Sequence, residues 1–92
     1  MSGKEITLDI LWERARQKYI HKFTYEHDDQ WIAGELLMAA DAYMTNDAAL
    51  WPWADSKYSG HKHTKRERLI KAAALIVAEI ERMDRLPEEE NK

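Results

Sequence analysis

Cysteine is absent from these 92 residues, which excludes a disulfide framework and any thiolate metal site. Glycine occurs only three times and proline twice. No low-complexity tract, internal repeat, Walker loop, dinucleotide fingerprint or nucleophile motif appears in the chain. A long hydrophobic run is missing too. The most apolar stretch, Ala72–Ala78, is bounded by Lys71 and Glu79 and falls far short of a membrane span. Met1–Ile10 lacks the continuous apolar segment of a signal peptide. The expectation is a soluble cytoplasmic protein of one domain, residues 1–92, with 1–5 and 87–92 as flexible ends. With 45% hydrophobic and 34% charged residues the composition is that of a globular domain rather than a disordered chain.

What is present is a polarised charge pattern hidden under a formal net charge of −3. The run Glu26–Asp47 carries six acids and no Lys or Arg, whereas Trp51–Lys71 carries six bases against two acids, behind Trp51, Trp53 and Tyr58. An acidic helix facing a basic, aromatic-laced segment suggests a phosphate-bearing ligand and a divalent metal. The acidic second helix and the net charge argue against a broad nucleic-acid surface.

Periodicity predicts a compact all-α bundle of three main helices. The first helix starts at a cap on Thr7 or Asp9 and runs to about Tyr19–Phe23, with Leu8, Trp12, Ala15 and Tyr19 as its core stripe, extended by Ile20 and Phe23. His21–His27 is a bend. The second runs from Asp28 or Asp29 to Met44 or Thr45 and buries Ile32, Leu36, Ala39 or Ala40 and Tyr43, with Leu37 and Met38 widening the stripe. Gly34 inside it calls for either a close helix contact or a ligand near the backbone. Asn46–Leu50 adds a turn before Pro52, and Trp51–His63 is a Trp/Pro-containing loop. Thr64 and Glu67 form a capping box for the third helix, whose stripe is Leu69, Ala73, Ile76, Ile80 and Met83 and which ends at Leu86–Pro87. Alanines 72–74 permit a close crossing. Small size, wide apolar faces and four tryptophans point to a homo-oligomer.

The candidate chemistry lies in two groups. If the second and third helices pack, Glu35 and Glu79 meet at the edge of their seam, and paired carboxylates repel unless protonated or bridged by a cation. Asp28, one heptad before Glu35, and Asp29 complete an oxygen-ligand set for Mg²⁺. Glu81 and Asp84 are further acids on a more exposed face. The second group is basic: Lys62, Arg66 and Lys71 can neutralise phosphate, Arg66 being near a helix N-terminus. Trp51, Trp53 or Tyr58 can stack on a base, although a stiff Trp-Pro-Trp element also predicts at least one core tryptophan. His61 and His63, two apart, fix no third zinc ligand.

Glu13–Gln17 (ERARQ), Glu26–Leu37 (EHDDQWIAGELL), Ala39–Tyr43, Trp51–Trp53 and Lys71–Arg85 (KAAALIVAEIERMDR) together resemble a family of small proteins encoded by phages and prophages. The likeness covers about Ile6 to Leu86 and implies the cytoplasm of an infected or lysogenic bacterial host. The chain is also similar, less closely, to the all-helical MazG-like nucleotide pyrophosphohydrolases, which hold magnesium against a nucleoside triphosphate with a Glu-x-x-Glu helix and a Glu-x-x-Asp helix. Glu81–Asp84 matches the second element, while Met38 and Ile32 stand where the first would need its partner to Glu35. The resemblance implies a Mg²⁺-dependent pyrophosphohydrolase with Glu35 and Glu79 as catalytic residues. A non-catalytic pocket that sequesters a nucleotide or cyclic nucleotide, and a protein-interaction module, remain as alternatives.

Overall fold

The computed structural model describes residues 5–19, 34–53 and 57–86. It is an all-α bundle of three main helices: α1 (Ile6–Tyr19), α2 (Glu35–Thr45) and α3 (Lys65–Asp84). No strand occurs among the described residues. The central helix is α3, which α2 and α1 flank; their principal contacts are with α3 rather than with each other. Short 3-10 turns at Ala48–Leu50 and Gly60–Lys62 lie between α2 and α3.

Each helix end has a local cause. α1 begins two residues earlier than its threonine suggested, because the Glu5 carboxylate accepts the Thr7 N–H at 3.1 Å. The capping box on α3 is formed as expected: Glu67 N–H donates to Thr64 Oγ1 at 3.1 Å and Thr64 N–H to Glu67 Oε1 at 2.8 Å. α2 starts at Glu35, not at Asp28 or Asp29, which lie outside the described residues. Gly34 precedes it at φ +88°, in the left-handed region, and no described residue lies within 4 Å of where a Cβ would be. The positive φ is reason enough for a glycine there. Asn46 closes α2, also left-handed at φ 53°, with its N–H turned back on Ala42 and Tyr43 carbonyls. Arg68 Nε donates to the Tyr43 carbonyl at 3.2 Å, so a cation from α3 meets the negative end of α2.

The core lies between α2 and α3. Leu36 and Leu75 are the largest fully buried side chains, with Ala39, Ala40, Ala42, Ala72 and Ala78 around them. Tyr43, Trp51 and Tyr58 close its end as a ring cluster with centroids 5.4–5.6 Å apart. The expected stripe of α2 is confirmed at Leu36, Ala39, Ala40 and Tyr43, but Leu37 and Met38 are exposed.

Two stripes are overturned. On α3, Leu69, Ile76 and Ile80 face outward, and the buried face is Lys71, Ala72, Ala74, Leu75, Ala78, Glu79 and Arg82. Size decided this: the alanines let α2 approach closely, whereas branched side chains would hold the helices apart. On α1 the stripe is turned outward too. Arg14 and Gln17 are buried, Leu8, Trp12 and Tyr19 are exposed and Ala15 is half-buried, while Ile20 and Phe23 lie outside the described residues.

Candidate functional site

A groove of about 820 Å³ runs between α1 and the first half of α3. α1 contributes Trp12, Ala15 and Tyr19 along one wall, seven residues placing the two rings on the same side of the helix. α3 supplies Ile70 and the aliphatic stem of Lys71. Trp12 is 74% and Tyr19 76% exposed, so both rings stand in solvent.

The rim is charged but internally paired. Arg66 Nη2 lies 2.7 Å from Asp9 Oδ2, and Lys71 Nζ lies 3.2 Å from Glu13 Oε2. Arg16 Nε reaches the other oxygen of Glu13 at 3.1 Å, and His63 Nδ1 is 3.6 Å from Glu67 Oε1. Hydrogen bonds from Thr64, chiefly its backbone N–H, hold the Glu67 carboxyl below the usual range. Three acids thus face three permanent cations, and the groove carries no net charge while His63 is neutral. Its chemistry is that of an apolar slot with a self-compensated rim, suited to an apolar or aromatic group of a partner.

Beneath the groove, α1 meets α3 through polar groups. Arg14, 3% exposed, donates from Nε to Glu81 Oε1 at 2.9 Å, and Gln17 Nε2 reaches the Lys71 carbonyl at 3.4 Å. The Gln17 Oε1 atom is buried with no partner among the described residues.

The residues expected to bind phosphate and base do not gather in one place. Arg66 and Lys71 line the groove, each already on a carboxylate. Lys62 is exposed on the turn before α3 and is not among the groove's lining. Trp51 and Tyr58 are buried in the core, and Trp53 packs edge-on against Trp51 at 5.0 Å. The Tyr58 hydroxyl is 2.9 Å from Asn46 Oδ1 and 3.1 Å from the Ala42 carbonyl, and Tyr43 Oη is 3.4 Å from Ser59 Oγ. Those contacts make the linker rings structural and leave no open face on Trp51 or Tyr58 for a base.

The carboxylates are likewise dispersed. Glu35 opens α2. Glu79 is buried on α3 with its two oxygens 2.9 and 2.8 Å from Arg82 Nε and Nη2. Asp28 and Asp29 lie outside the described residues, and among those described no group of three His, Asp or Glu is disposed to hold a metal. Glu81 is paired with Arg14. A magnesium ion at Glu79 would have to displace a bidentate guanidinium.

Trp12, Tyr19 and Arg16 are the groove residues that sequence reading missed. Leu8, Trp12, Ala15 and Tyr19, three or four apart, carry the ordinary signature of a core stripe, and Arg14 and Gln17 on the other face gave no local sign that they would be buried. Among the described residues no helix is long and apolar enough to cross a membrane. No family model, curated protein or solved structure matches the chain.

Proposed function

We propose that the protein is a helical protein-interaction module, binding through the outer face of α1 and the adjoining groove. One observation carries this reading: α1 is turned inside out, with Arg14 and Gln17 against α3 and Leu8, Leu11, Trp12 and Tyr19 in solvent. Contiguous exposed apolar surface of this kind marks an interaction site. The neutral rim supports it, because a groove whose cations are all answered by carboxylates offers a polyphosphate little net attraction. Trp51 and Tyr58, with Trp53 packed against them, then serve to close the α2–α3 core rather than to hold a ligand.

A second reading is favoured by the groove itself. Its volume falls in the range of small-molecule sites, and it joins two exposed rings to Arg16, Arg66 and Lys71. A nucleotide could stack on Trp12 or Tyr19 if its phosphates drew Arg16 and Arg66 from their surface carboxylates, pairs of a kind worth at most about 1 kcal/mol. Hydrolysis in the manner of a Mg²⁺-dependent pyrophosphohydrolase further requires Asp28 and Asp29 to join Glu35, and Glu79 to leave Arg82.

Titration calorimetry with nucleoside triphosphates and cyclic dinucleotides, with and without Mg²⁺, separates the two. The interaction module predicts no heat. Binding that is lost in Trp12→Ala and Arg66→Ala replaces it with the nucleotide reading, and accompanying pyrophosphate release establishes an enzyme.

A further inference from the structure

The outer face of α1 has a pattern that identifies its occupant. Leu8, Leu11, Trp12, Ala15 and Tyr19 fall within one side of the helix, opposite Arg14 and Gln17. At roughly 150–250 Å² for an aromatic side chain, the exposed parts of the two rings and two leucines come to on the order of 500 Å² of apolar surface. A standard interface buries about 800 Å² per partner, of which about 60% is apolar, again on the order of 500 Å². The face is therefore large enough to form the apolar centre of a stable dimer.

Three properties of α1 select a second copy of this chain. First, the face is self-complementary in shape when read antiparallel. Pairing each residue with the one whose number completes the same total sets Trp12 opposite Ala15, a large side chain over a small one in both directions, with Leu8 opposite Tyr19 and Leu11 opposite the aliphatic stem of Arg16. Second, it is self-complementary in charge. The N-terminal half of the helix holds Asp9, preceded by Glu5, and the last turn holds Arg16 and Lys18, so antiparallel docking sets the acidic end of each copy beside the basic end of the other and opposes the two helix dipoles. A twofold contact requires this reciprocity, since residue i must meet j while j meets i. Third, among the described residues the core is thin: only Leu36 and Leu75 are large and fully buried, and half of the core cluster is alanine. A chain of this size with so much apolar surface outside is best served by a partner that is always present, which is another copy of itself.

We propose that the protein forms a twofold dimer through antiparallel docking of α1 on α1, with Trp12 seated over Ala15 of the other copy. This rests on the interaction-module reading and names its partner. The groove shares Trp12, Ala15 and Tyr19 with this face, so the second copy also completes one wall of it.

The test uses the full chain and its natural lack of cysteine. Sedimentation equilibrium should give twice the chain mass of 10.9 kDa at micromolar concentration, and Trp12→Glu should return the single mass with unchanged helical circular dichroism. The double variant Trp12→Cys, Ala15→Cys should form intermolecular disulfides in air, whereas Ile76→Cys, on the outer face of α3, should not. A dimer that survives Trp12→Glu, or that cross-links through Ile76→Cys instead, overturns the proposal by moving the interface. A monomer at every concentration overturns it as well. In that case a photo-reactive phenylalanine analogue at Leu8 distinguishes the two failures. Adducts to a different protein inside cells leave the interaction module standing without self-association, and an absence of adducts removes both.

Discussion

The two flanks of α3 are held by different physics. Toward α2 it presents Ala72, Leu75 and Ala78, and the seam closes on leucines, alanines and a ring cluster. Toward α1 it presents Lys71, Glu81 and Arg66, and the seam closes on ion pairs at 2.7–3.2 Å. Apolar burial is non-directional and scales with area. Ion pairs are directional, screened by salt when exposed, and offset by desolvation when buried. The α2–α3 pair is thus the stable unit of the molecule, and α1 is a helix attached by its polar side so that its apolar side stays available. Placing the apolar stripe outward is unfavourable for a lone monomer and favourable for a module whose function lies on that stripe.

The contrast is sharpest at Leu75. Truncation of this fully buried side chain by Leu75→Ala should lower stability by about 2–5 kcal/mol, read as a fall in the urea midpoint with little change in slope. If the loss were under half of that, the α2–α3 seam would not be the stabilising unit. On the other flank, Glu81→Gln weakens the contact of the buried Arg14 guanidinium. Because Glu81 is partly exposed, the loss should be smaller, about 1–2 kcal/mol. Amide exchange should then quicken across α1 while α2 and the buried face of α3 keep their protection. Uniform acceleration in all three helices would show the two seams to be one cooperative unit.

How much of this was legible in the sequence follows the same division. The third helix, its capping box and the burial of Leu36, Ala39 and Tyr43 were readable, because caps and one-sided periodicity are local signals. Which side of α1 and α3 turned inward was not. Hydrophobic periodicity locates a stripe but not what covers it, and here the long apolar side chains point out while alanines and paired charges point in. For the same reason Trp12 and Tyr19, read as core, lie exposed, while Trp51 fulfils the expectation of at least one core tryptophan in the linker. Gly34 was ambiguous for a different reason: a glycine needed for positive φ looks in sequence like one needed for space.

The ring cluster at the end of the α2–α3 seam adds a pH signature of its own. Burial, the largest cause for both, raises the pKa of Tyr43 and of Tyr58 above the usual phenol value. The folded state therefore keeps these protons longer than the unfolded chain does. Their contribution is complete below the unfolded value near 10 and is lost as pH rises through the higher folded values. Urea midpoints should fall between about pH 9 and pH 11, and less steeply in Tyr58→Phe. An identical slope in that variant would remove Tyr58 from the account.

The smallest effect belongs to the outermost contact of the ionic seam. Arg66 and Asp9 touch at 2.7 Å, but with 42% and 31% of their side chains exposed they are extensively hydrated. Asp9→Asn should change stability by at most about 1 kcal/mol, and the change should vanish in molar salt as the charges are screened. Dimerisation should respond more than folding does, because Asp9 lies at the acidic end of the proposed antiparallel pairing of α1. A pair this exposed cannot account for the docking of α1 on α3, but the Asp9 charge can help set the register in which two copies of α1 meet. A dimer dissociation constant unmoved by Asp9→Asn would leave shape, Trp12 over Ala15, as what fixes that register.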